Sequence, residues 1–298
     1  MNQILDLLAL PAVQRSAIGL LIGAVSLPIV GVFIVGLDIV AVRFAVMHVA
    51  LLGIAVGLLT GVDPMLCGLL ACGLAGAGVA PLARRPTGLP GAMGLLMTFA
   101  IAGALLMLSA SGVNATSAFE LLWGSILAVR TIDVVVLGVL AVAVHVLFWR
   151  YRRSLALLLF DRELALCSGV SAGWLMLALL VVVAVSIGAA IRLTGALLVD
   201  ALTILPALGA RNLGRSLRSM AACAVVLGAL GNTAGFVLAL ALNQPPGPVL
   251  VLVAGALTLL TYLIPEGALD AIIPARRRVN SLSCSTYAAP VVNSVRQF

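Results

Sequence analysis

Two imidazoles and one carboxylate stand deep inside apolar runs of this chain. They are His48 in RFAVMHVALLGIAVGLL, His145 in VAVHVLFWR and Asp200 in GALLVDALTILPALGAR. An ionisable group in an apolar medium is costly unless something meets its charge, so each is a functional candidate. Neutral imidazole tolerates burial, and a free ring nitrogen ligates transition metals. His48 is therefore either a metal ligand or a histidine satisfied by a backbone carbonyl. His145 precedes Trp149 and an arginine cluster by one turn, a position that suits a helix carboxyl terminus. Asp200 has no basic residue within one helical turn, Arg192 being two turns back. Its charge must be met by another helix, by water in a pathway, or by a proton.

Catalytic arrangements are poorly supported by comparison. Ser125, Asp133 and His145 supply the residue types of an intramembrane hydrolase, but WGSIL lacks the glycine expected after the serine. Ser125 and His145 also fall towards opposite membrane faces. Neither HExxH nor GxxxxGK[ST] occurs. The chain is expected to be no enzyme, to carry no ATP site, and to hold no permanently bound cofactor.

The elements that must position these residues follow from hydropathy. Of 298 residues, 63% are hydrophobic and 9% charged, with mean hydropathy +1.26. A soluble domain carries roughly a quarter charged residues. So apolar a chain has lipid as its solvent. The fold class is all-α, a polytopic helical bundle of about eight or nine spans. With roughly 20 apolar residues per span, the spans fall at about 13–37, 44–62, 64–82, 90–110, 131–149, 169–191, 194–210, 219–242 and 248–265. TGVDP marks a turn after the second. LLWGSILAV (121–129) is too short to cross and reads as interfacial or re-entrant. Residues 1–274 form the membrane domain, and 275–298 a polar, flexible cytoplasmic tail. Asp133 and Glu266 lie near span ends, where snorkelling meets their charge.

The net charge is +7, and every basic residue is arginine. Basic chains include nucleic-acid binders, but these arginines sit between spans, so no nucleic-acid partner is expected. Alternating the sides groups Arg43, Arg84, Arg85, Arg150, Arg152, Arg153, Arg162, Arg211, Arg215, Arg218, Arg276, Arg277, Arg278 and Arg296 on one side. Arg15, Arg130 and Arg192 fall opposite. Cytoplasmic loops collect positive charge, which puts the amino terminus outside and the carboxyl terminus in the cytoplasm. Five cysteines without CxxC spacing read as small packing residues. The amino terminus lacks the pattern of a cleaved signal peptide.

GALLVDALTILPALGAR (195–211) also carries Pro206, which is expected to interrupt the helix or re-aim its end. The following ALGARNLGRSLRSM offers a short basic segment with Leu213 and Leu217 one turn apart. Such a segment suits docking at the cytoplasmic surface.

Four stretches, in order, resemble one family. RFAVMHVALLGIAVGLLTGVDP (43–64) is similar to the second-helix signature of the ABC-3 class of bacterial metal permease subunits. FELLWGSILAV (119–129) and LFDRELALCSGV (159–170) occupy the places of its short aromatic-glycine and cytoplasmic stretches. GALLVDALTILPALGAR resembles its later proline-alanine signature. The resemblance covers about 13–268. It implies a type II ABC importer-like permease in a bacterial plasma or inner membrane, importing zinc first, manganese second, with iron as a further candidate. It also implies cytoplasmic ATPase subunits, an extracytoplasmic solute-binding protein and a homodimeric pore. Its coupling segment maps onto Pro206, Ala207, Ala210, Arg211, Arg215 and Arg218.

One position departs. The family places an aspartate four residues before the second-span histidine, on the same helix face, and here that position is Phe44. The family's small or hydroxyl residue at 200 is instead Asp200. The expectation is a relocated carboxylate, with His48 and Asp200 as the transient metal ligands. The alternatives are a scaffold or sensor that kept the fold, and a permease for a siderophore or vitamin B12.

Overall fold

A computed structural model describes residues 11–82, 89–112, 130–160, 172–214 and 216–263. These residues form α1 (Pro11–Gly36), α2 (Val40–Thr60), α3 (Pro64–Leu82), α4 (Leu89–Ala110) and α5 (Thr131–Phe160), then α6 (Ala172–Thr194), α7 (Ala196–Leu213), α8 (Leu217–Leu242) and α9 (Pro246–Leu263). Each expected span has its helix. Seven of them are long and apolar enough to cross a membrane; α3 and α7 are not among those seven. Helices suit this solvent because every interior backbone group is satisfied within the segment. The interfacial stretch 121–129, Arg84, Arg85, Arg162, Arg215, Glu266 and the tail 275–298 lie outside the described residues.

The helices form two groups. In one, α2 packs along α3 and α4, and α3 packs along α6. In the other, α7, α8 and α9 pack on one another, and α1 lies against α7 and α8. Helix α6 touches α1, α2, α5 and α7 and so joins the groups. The most apolar stretch of α1 is 78% buried, against 22% for α4, α5 and α9. Helix α1 is therefore the central post, and those three present most of their surface outwards from the bundle.

Lipid tails are as apolar as leucine, so helices associate here by close packing rather than by escape from water. Small residues permit that approach. Gly31 of α1 lies so near the Thr203 carbonyl of α7 that a methyl group there would run into it. Gly76 of α3 sits likewise against Leu180 and Ala184 of α6. Gly23 faces Leu137, Gly36 faces Leu159, and the Phe33 and Phe148 rings lie 6.4 Å apart, so α1 and α5 run parallel. Gly228 meets Ala24 and Pro28, while Ala17 and Leu20 line a hollow with Asn232 and Phe236. Helix α8 is therefore antiparallel to both.

Four boundaries differ from expectation or explain it. Helix α2 begins at Val40 rather than about 44, so Arg43 is not a loop residue: it is in the helix and 2% exposed. Removing it from the charged side leaves the sign of the arginine asymmetry intact. Helix α5 continues past 149 to Phe160 and carries Arg150, Arg152 and Arg153 on its last turns. TGVDP is a turn: Gly61 caps α2 at φ +72°, and Asp63 Oδ1 accepts from Met65 N (2.8 Å) and Leu66 N (3.3 Å). Between α6 and α7, Gly195 takes φ +79°, a conformation open to glycine and strained for other residues.

Replacing Gly31 by Ala is expected to lower stability by about 1–3 kcal/mol, because the new methyl meets backbone that has no room to move. Gly78→Ala faces open space and is expected to leave stability unchanged or raise it by up to about 1 kcal/mol through helix propensity. Thermal unfolding of the purified variants in detergent compares them. Equal melting temperatures would contradict the packing.

Candidate functional site

Asp200 lies in the second turn of α7, and its carboxylate forms an ion pair with the Arg43 guanidinium of α2. Of the partners open to Asp200 from sequence, the structure selects another helix. The pair is asymmetric: the Arg43 side chain is 3% exposed and that of Asp200 38%. Phe44 completes the arrangement, with Arg43 Cζ 4.1 Å from its ring centroid. The ring face offers a guanidinium electrostatic attraction. Phe44 and the carboxylate on α7 thus both engage one arginine. Arg43 Nε is buried without a hydrogen-bond partner among the described residues. This salt bridge links the two helix groups.

Arg43 escapes the sequence reading because a second span starting at about 44 begins four residues after the helix does. The signal was present: Arg43, Val46, Met47 and Ala50 follow the spacing of one helical face, and Val42, Val46 and Ala50 are buried.

His48 is half-buried, and its Nδ1 lies 2.8 Å from the Phe44 carbonyl oxygen. A carbonyl only accepts, so Nδ1 carries the proton and donates, which leaves the Nε2 lone pair of the neutral ring for a ligand. Five residues separate His48 from Arg43, which puts them on different faces of α2. The structure brings Asp200 to α2, then, but to Arg43; the described hydrogen bond of His48 goes to its own helix. His145 makes the same backbone bond, Nδ1 to the Ala141 carbonyl at 2.8 Å. Asp133 sits at the start of α5, where its Oδ2 accepts from Arg130 N at 2.9 Å. No group of three or more His, Cys, Asp or Glu side chains comes together among the described residues.

The helix geometry around Pro206 also differs from expectation. Pro206 neither interrupts nor ends its helix: α7 runs through it to Leu213. Proline removes the bond to the Leu202 carbonyl, but α7 is enclosed by α1, α8 and α9. Thr258 Oγ1 of α9 also donates to the adjacent Leu205 carbonyl at 2.9 Å. Ala207 and Ala210 are fully buried. Arg211 is exposed on the last turn of α7, and Arg218 on the first turn of α8. Ser216 caps α8, accepting from Ser219 N while Ser219 Oγ accepts from Ser216 N. Leu213 and Leu217 therefore belong to two separate helices, not to one surface helix.

The ABC 3 transport family model matches residues 9–264 of this chain. The chain belongs to the ABC 3 transport family. A probable metal transport system membrane protein of Thermotoga maritima is 27% identical over 68% of this chain and 72% of its own length. The zinc transport system membrane protein TroC of Treponema pallidum is 28% identical over 95% of this chain and 99% of its own. In the solved structure of PsaBC from Streptococcus pneumoniae in complex with Fab, one chain superposes with TM-score 0.75 at 24% identity. That match covers 90% of this chain and 96% of the other. This ABC 3 chain is a multi-pass membrane permease subunit and not an enzyme; the ATPase of such a transporter is a separate subunit.

Removing one partner of the buried pair should cost more than removing both. Asp200→Ala strands a buried guanidinium and is expected to cost about 3–5 kcal/mol. Arg43→Met is milder, because the half-exposed Asp200 still reaches water or takes a proton. The double variant Arg43→Met with Asp200→Leu should recover most of the Asp200→Ala loss. Thermal unfolding in detergent reads all three, and an Asp200→Ala variant as stable as the double one would rule the pair out.

Proposed function

We propose that this chain imports a divalent transition-metal ion as the membrane subunit of an ATP-driven transporter, with zinc the first candidate, manganese the second and iron the third. The observation that carries the reading is the family match along residues 9–264, joined to relatives named for metal and zinc transport. The resident charge chemistry is compatible with it. Asp200 is a carboxylate already holding a cation, the tethered guanidinium of Arg43. A divalent ion entering the pathway exchanges with that guanidinium, meets the Nε2 lone pair of His48 as a borderline ligand, and moves on as Arg43 returns. Few protein ligands hold an ion weakly, which suits passage.

Two cytoplasmic ATPase subunits dock at the arginine-rich end, where Arg211 and Arg218 flank the α7–α8 turn and Arg215 lies between them. Guanidinium forks suit acidic groups on such a partner. A solute-binding protein delivers the ion at the opposite, extracytoplasmic face of a bacterial inner membrane. A second copy of the chain completes the pore. The arginine asymmetry supports an external amino terminus and a cytoplasmic carboxyl terminus. The competing reading, a non-transporting scaffold or sensor, draws on the same Arg43, since a carboxylate permanently neutralised has no ion to pass.

Uptake separates the two. In cells that depend on this permease and its own partner subunits, Asp200→Asn and His48→Ala should each cut zinc or manganese uptake roughly tenfold or more, at normal protein levels. Unmodified uptake of both metals by Asp200→Asn would remove that residue from the pathway. No metal uptake by the unaltered system would favour the scaffold. Separately, replacing Arg211, Arg215 and Arg218 with Glu should abolish co-purification of the ATPase while leaving the permease in the membrane. Full co-purification would sink the docking assignment.

A further inference from the structure

A groove of about 490 Å³ opens on the outer surface of the bundle between α1, α5 and α8. Its walls are apolar, formed chiefly by Ile29, Phe148, Ala221, Val225 and Val226, with His145 as the one deeper polar side chain. Arg152 of α5 and Arg218 of α8 also line it. Because α5 and α8 are antiparallel, the two arginines lie at the same end, and the apolar walls run about two turns, roughly 10 Å, further into the membrane-spanning part. Trp149 is 66% exposed beside them, and Arg152 Cζ lies 5.5 Å from its ring centroid. Tryptophan beside arginines on a spanning helix marks the level of lipid headgroups.

The Asp200 carboxylate pairs with Arg43 and not with either of these arginines. Two guanidiniums above an apolar slot match a phosphodiester joined to hydrocarbon: the forked donors take the phosphate oxygens, and the slot takes a chain. Basic pockets between spanning helices favour anionic headgroups for this reason. An acidic peptide from a soluble partner fits less well, since its backbone would enter the apolar part with its polar groups unmet.

We propose that this groove is a binding site for an anionic phospholipid of the arginine-side leaflet, held by Arg152 and Arg218 with one acyl chain between α5 and α8. The site is independent of which ion the permease carries. It gives Arg218 a second use beside the α7–α8 turn, through which lipid composition bears on the segment assigned to ATPase docking.

Native mass spectrometry of the purified permease, without its ATPase, tests the site with phosphatidylglycerol and phosphatidylcholine of identical chains. The unaltered protein should retain one phosphatidylglycerol and release phosphatidylcholine. Arg152→Gln, which lies outside the docking segment, should lower the phosphatidylglycerol-bound fraction about fivefold, with Arg218→Gln adding a similar factor. Arg152→Lys should retain most of it. Ala222→Leu, which fills the hollow, should lower retention without touching charge. Equal retention of both lipids, or an unchanged bound fraction in the double glutamine variant, overturns the proposal. So does a change confined to the dimer fraction in Ala222→Leu, which would assign the groove to a second copy of the chain. Loss of ATPase co-purification by Arg218→Gln with lipid retention intact would give that arginine to the ATPase alone.

Discussion

A guanidinium and a carboxylate meeting inside a bundle of apolar helices constrain everything around them. The enclosed Arg43 has no replacement for its partner, so α2 and α7 must stay within reach of each other in this conformation. Arg43 is almost wholly enclosed while Asp200 keeps some exposure, so the arginine depends on the aspartate more than the reverse. Such pairs add little net stability compared with apolar residues of the same shape, and their main energetic weight falls on whoever removes one member. In this fold the pair joins one face of α2 to one face of α7 across the two groups.

The remaining architecture is set by approach distance. Gly31 admits the Thr203 backbone, and Gly76 admits the α6 backbone near Leu180. With α7 held this closely, Pro206 is accommodated inside it. Thr258 reaches across from α9 to the Leu205 carbonyl, a polar contact beside the place where proline has thinned the helix's own bonds. Hydroxyls and small residues together do for a bundle in lipid what large apolar side chains do for one in water.

Position 44 gains its meaning from the same arrangement. A carboxylate there would lie next to Arg43 and compete with Asp200 for it. A phenylalanine instead lays its ring beside the guanidinium and leaves the α7 carboxylate as the single anion. Phe44 and Asp200 therefore share one arginine, while His48 hydrogen-bonds to its own helix on a different face.

Much of this was legible in the chain itself. The all-helical class, the position of each helix, the TGVDP turn and the family resemblance came from properties local to a segment of about twenty residues. Lipid makes those properties decisive, because it forbids unsatisfied backbone whatever the tertiary context. The candidates Asp200 and His48 were visible for the same reason, as polar groups where hydropathy permits none. What the chain could not reveal was their partners. Arg43 looked like one more loop arginine, although it stood on a buried helical face, and Pro206 looked like a stop. Both were decided by helices distant in sequence: α7 brings a carboxylate to Arg43, and α1, α8 and α9 enclose the proline. Local hydropathy determines that a residue must be met; only the packing of whole helices determines what meets it.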